Sequence, residues 1–61
     1  MTKRRDIVKA LEAEGFVSKG GSNHEAWLHA DGRRTVLGRH KDIPLHTARL
    51  IAKQAKIKLP K

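Results

Sequence analysis

Apolar residues recur at helical spacing near both ends of the chain and alternate with polar ones in the middle. Ile7, Ala10 and Leu11 share one face at intervals of three and four, with Val8 at its edge, which predicts a helix over residues 3–14. Thr2 stands where its side chain could cap that helix. Gly15 follows as the left-handed residue of a Schellman stop, and Phe16 can fold back onto Leu11. Residues 16–19 are bracketed by glycine and too few for a helix, so they predict a short strand. His24–His29 predicts a second strand, Asp31-Gly32 a two-residue hairpin turn, and Arg34–Gly38 a third strand with β-branched residues at its centre. Alternation sets Glu25, Trp27 and His29 on one face and His24, Ala26 and Leu28 on the other, without deciding which face meets the helices. Trp27 is expected in the core, since the chain has one Trp, one Phe and no Tyr with which to build it. After a polar loop at 39–42, Ile43-Pro44 opens a second helix. Its apolar stripe is Leu45, Ala48, Ile51, Ala52 and Ala55, its basic row Arg49, Lys53 and Lys56; Leu50 lies outside both, and Pro60 ends any continuation. The order αβββα makes an α+β fold, a three-stranded antiparallel sheet with two helices on one face.

Length and composition narrow the class. Sixty-one residues make a single domain, residues 1–61, and a chain this short buries only about 60% of the surface exposed by its unfolded form. With no cysteine there is no disulfide, and thiolate zinc sites are excluded. No apolar run approaches the ~20 residues that cross a bilayer, and no signal-peptide core is present, so a cytoplasmic location without membrane partners is expected. The net charge of +8 is unevenly spread. Residues 1–32 are neutral overall, whereas 33–61 carry nine Lys and Arg against Asp42 alone. A polyanion or an acidic protein is the natural partner for such a field.

The four histidines lack any recurrent metal-ligand spacing, so no metal and no cofactor are expected. RNA carries its own nucleophile, the 2′-hydroxyl beside each phosphodiester. Cleaving it needs a base, cations around the phosphate and a proton for the departing 5′-oxygen. Histidine is the side chain whose ordinary pKa suits that work near neutrality. His24 follows the turn Gly20-Gly21-Ser22-Asn23, where glycine would let a phosphate backbone approach closely. His24 is therefore the candidate catalytic base. Lys19, Gly21, Ser22, Arg33, Arg34, Arg39 and Lys41 are the candidate RNA contacts. Patterning leaves two alternatives for the chain, a non-catalytic RNA- or DNA-binding module and a protein-binding domain. It leaves one for His24, a strand-end histidine bonded to its turn.

Gly21-Ser22-Asn23-His24, the hairpin closing on Asp31-Gly32-Arg33-Arg34, Gly38-Arg39-His40, and Ile43-Pro44 opening a helix that ends Ala52-Lys53-Gln54-Ala55-Lys56-Ile57 together resemble the HicA family of toxin mRNA interferases. The resemblance implies a fold like the double-stranded-RNA-binding domain, cleavage of mRNA, and neutralisation by a HicB-like antitoxin that covers His24. It places the family's catalytic histidine on His24. The chain departs from the family at Lys56, where members usually carry glycine, and at Trp27, where many carry a smaller aromatic or an aliphatic residue.

Overall fold

The computed structural model describes residues 2–58. Seven elements follow in order: β1 (Thr2–Lys3), α1 (Arg4–Glu14), β2 (Val17–Gly20), β3 (His24–Leu28), β4 (Arg34–Gly38), β5 (Asp42–Ile43) and α2 (Leu45–Ala55). The three middle strands form an antiparallel sheet in the order β2-β3-β4, and both helices cover its Trp27 face. This is the α+β arrangement expected. Beside it stands a two-stranded antiparallel ladder of β1 and β5 that patterning does not anticipate, pairing Thr2 with Ile43 and Lys3 with Asp42. Thr2 is thereby taken into a strand and does not cap α1. The first helical amide, that of Arg4, is satisfied instead by the carbonyl of Lys41 at 2.9 Å. Pro60 lies outside the described residues.

The core is a single cluster. Ile7 and Leu11 from α1, Trp27 and Leu37 from the sheet, and Ala48, Ile51 and Ala55 from α2 are buried together with Phe16 and Ile43. Gly15 adopts φ 107°, and the bonds Phe16 N–H to Leu11 O (2.9 Å) and Gly15 N–H to Glu12 O (3.0 Å) complete the predicted Schellman stop. At the end of the other helix Lys56 takes the left-handed position, at φ 56°, and its amide and that of Ile57 (3.0 Å) both bond to Ala52 O. Pro44 precedes α2 as its N-cap residue, its carbonyl accepting the Ala48 amide. The β3–β4 hairpin differs from the predicted two-residue turn. Its loop is Ala30-Asp31-Gly32, closed by Gly32 N–H to His29 O (3.0 Å) and His29 N–H to Arg33 O (2.8 Å), with Gly32 at φ 100°. Glycine in the last loop position is the usual device of a three-residue connection.

Candidate active site

Trp27 is 3% exposed and Leu37 fully buried, so the other face of the sheet is open to solvent. That face carries His24, Ala26 and Leu28 from β3, and Arg34, Val36 and Gly38 from β4. The register sets His24 opposite Gly38 and Ala26 opposite both Val36 and Gly20. His24 therefore stands exposed at one end of the sheet with low neighbours: Gly38 across from it and Ala26, flanked by Gly20, next along the face. A ligand could lie there without meeting a long side chain. Lys19 is the extra residue of a bulge between Ser18 and Gly20, exposed at the edge leading into the turn.

The turn is held from behind. Gly21 has φ 129°, and a Cβ added to it would fall 2.0 Å from the carbonyl oxygen of His24, so this position admits only glycine. Arg39 Nη2 donates to the Gly21 carbonyl at 2.6 Å. On the core side of β3, the Glu25 carboxylate accepts hydrogen bonds from Ser18 Oγ and Arg4 Nη2, with Arg39 Nη1 at 3.7 Å. Arg4 Nε also donates to the carbonyl of Gly38 at 2.9 Å. The Ser18 hydrogen bond is the first cause that holds the Glu25 carboxyl below its ordinary value; partial burial opposes it, and Arg39 and Arg4 reinforce it. One carboxylate thus ties β2, β3, α1 and the segment after β4 together directly behind His24.

The predicted RNA contacts separate into three groups. Lys19, Gly21, Ser22, Arg39 and Lys41 all belong to the His24 end of the fold. Lys41 also joins Lys3, Arg4 and Arg5 around a cavity of about 320 Å³ at the start of α1, and Arg4 from its wall donates to the carbonyl of Gly38, the strand partner of His24. Arg34 stands at the far end of the sheet opposite Leu28, about 13 Å along the strand from His24 at 3.3 Å per residue. Arg33 does not serve as an open cation. Its guanidinium donates to Asp31 (2.7 Å), Glu14 (3.0 Å) and the Ala55 carbonyl (2.6 Å), and lies 5.2 Å over the Phe16 ring. It is a structural clamp joining the hairpin to the ends of both helices.

His29 is also structural. Its Nε2–H donates to the Glu14 carbonyl at 3.0 Å, its Nδ1 accepts from the Asp31 amide at 3.1 Å, and its ring meets Phe16 edge-on at 5.1 Å. His40 is given no role by patterning. It is exposed, and its Cδ2 lies 3.8 Å from where a Cβ on Gly38 would stand. Two imidazoles therefore flank one glycine. Only the cross-strand register, which depends on the length of the hairpin loop, could reveal that pairing. The family model described as the HicA toxin of bacterial toxin-antitoxin matches residues 4–57, nearly the whole chain and all of the elements just described except β1. No curated protein and no solved structure matches the chain.

Proposed function

Because the chain belongs to the HicA toxins of bacterial toxin–antitoxin systems and so has an antitoxin as its counterpart, we propose that it is an endoribonuclease that cleaves mRNA without a metal, with His24 as general base. The observation that carries this reading is the exposed imidazole of His24 on a floor of small residues, beside a concentration of cations at the same end of the sheet. Neutral His24 takes the proton of a ribose 2′-hydroxyl, and the oxygen attacks the adjacent phosphorus. A positioned base supplies on the order of 10²–10⁴ in rate. Lys19, Arg39 and Lys41 stabilise the charge that builds on the phosphate, and Gly21 and Ser22 let the backbone lie close. A HicB-like antitoxin restrains the enzyme by covering His24, and the uncompensated basic surface favours an acidic contact region on that partner.

The test is the RNA product. His24→Ala protein, folded as judged by circular dichroism, should bind single-stranded RNA but leave it intact, and its expression should not arrest growth. Wild-type protein in excess chelator should still cut, leaving a 2′,3′-cyclic phosphate or its hydrolysis product. A 3′-hydroxyl product, or full activity in His24→Ala, refutes the mechanism. RNA that shifts in a gel without shortening would make the chain a binding module.

A further inference from the structure

Transfer of the phosphoryl group from the 5′-oxygen to the 2′-oxygen moves two protons on opposite sides of the phosphorus. His24 accounts for one. The departing 5′-oxygen leaves with the electron pair of the broken P–O bond and needs the other. Antiparallel partners stand roughly 4.5–5.5 Å apart at Cα, so Gly38 brings the chain of β4 close beside His24. Gly38 shares the open face with Arg34 and Val36, while Thr35 and Leu37 point into the core. Its missing side chain leaves room above that strand. The ring of His40 approaches this room, with Cδ2 3.8 Å from the vacant Cβ position. Glycine here therefore leaves a gap between two exposed histidines, His24 on β3 and His40 in the loop that follows β4.

We infer that His40 is the general acid of the reaction, a role that rests on the ribonuclease reading of His24. In the balanced step, His24 gains the 2′-hydroxyl proton as the 2′-oxygen–phosphorus bond forms. The phosphorus–5′-oxygen bond breaks, and the protonated His40 ring gives its N–H proton to that oxygen, yielding a 2′,3′-cyclic phosphate and a free 5′-hydroxyl. In the chain His40 stands between Arg39 and Lys41 with Asp42 beyond, while Gly38, which its ring approaches, pairs with His24 and accepts a hydrogen bond from Arg4 at its carbonyl. Exchange with solvent restores both rings.

The decisive substrate is an oligoribonucleotide with sulfur in place of the bridging 5′-oxygen at one linkage, because a thiolate departs without a proton. His40→Ala and His40→Gln should slow cleavage of the ordinary linkage by on the order of 10²–10⁴. On the sulfur linkage both should recover to near the wild-type rate. His24→Ala should remain impaired on both. Equal loss on the two linkages, or no loss on either, overturns the assignment of His40 while leaving His24 standing. Wild-type protein that cuts neither linkage ends the ribonuclease reading and this inference with it.

Discussion

Gly21→Ala isolates how the turn presents His24. The added methyl would sit 2.0 Å from the His24 carbonyl oxygen, against a van der Waals approach that real side chains keep beyond 3.0 Å, and φ 129° is itself hostile to alanine. Relief requires the turn to move by about an ångström. Residues 21–24 are exposed and contribute nothing to the buried cluster, so the chain can rearrange there without unfolding. The loss of stability is then bounded near the 1–3 kcal/mol typical of a strained backbone position, within the roughly 3–9 kcal/mol expected of a domain this size. Activity should suffer more, since a misplacement of 1 Å at a reacting group can cost on the order of 10²-fold. Gly20→Ala is the control: φ is +80°, but nothing stands within 4 Å of the added carbon, so about 1 kcal/mol and a modest rate change are expected. Thermal denaturation and kcat/KM on a single-stranded RNA measure both. Equal effects from the two substitutions would refute the claim that close approach to His24, and not loss of glycine as such, sets the geometry.

Three further outcomes follow from the same structure. Lys56→Gly removes a left-handed lysine from the end of α2 and should stabilise by about 0.5–1 kcal/mol after glycine's greater unfolded freedom is deducted, raising Tm by a few degrees; an unchanged or lower Tm would contradict it. Arg33→Lys cannot reproduce the fork that holds Asp31, Glu14 and the Ala55 carbonyl, so the denaturant midpoint should fall below that of the wild type. RNA affinity, read in a His24→Ala background, should change less for Arg33→Lys than for Arg34→Ala. Glu25 has its folded pKa lowered, so the stability it contributes is complete above its ordinary value and is lost as pH falls through the lowered one. Melting curves taken from pH 7 downward should show that loss in wild type and a shallower one in Glu25→Gln.

The elements are legible where short-range chemistry fixes them. Apolar spacing marks α1 and α2, Gly15 marks the stop, and alternation marks the strands. What stays hidden depends on partners distant in sequence. The β1–β5 ladder joins residues some forty positions apart with two-residue strands, too short for any periodicity. The hairpin's position can be read from Asp31-Gly32 but its loop length cannot, because Arg33 and His29 are drawn onto Phe16 and Glu14 and leave three residues for the connection. His24 is conspicuous through its glycine turn. His40 is not, since nothing local to Gly38-Arg39-His40 says that Gly38 pairs with His24.

Arginine and lysine, equivalent in a count of charge, are used differently here, and this bears on how the toxin would hold RNA. Glu14, Glu25 and Asp31 are three of the six acidic residues, and each is engaged by an arginine, Arg33 or Arg4, with Arg39 sharing Glu25. Planar guanidinium forks suit such multiple bonds. Among the described residues no lysine takes part in an ion pair. Much of the positive excess is therefore carried by lysines on long, hydrated stems, and Lys3 and Lys41 border the cavity at the start of α1. Binding dominated by such side chains is sequence-tolerant and steeply salt-dependent, with a slope of log K on log salt near −0.7 for each phosphate neutralised on a single strand. Lys3→Ala/Lys41→Ala in the His24→Ala protein should weaken RNA binding several-fold, uniformly across sequences, and make that slope shallower by about 0.7 for each phosphate left without its lysine. An unaltered slope with weakened binding would mean that these lysines shape the fold and do not touch phosphate.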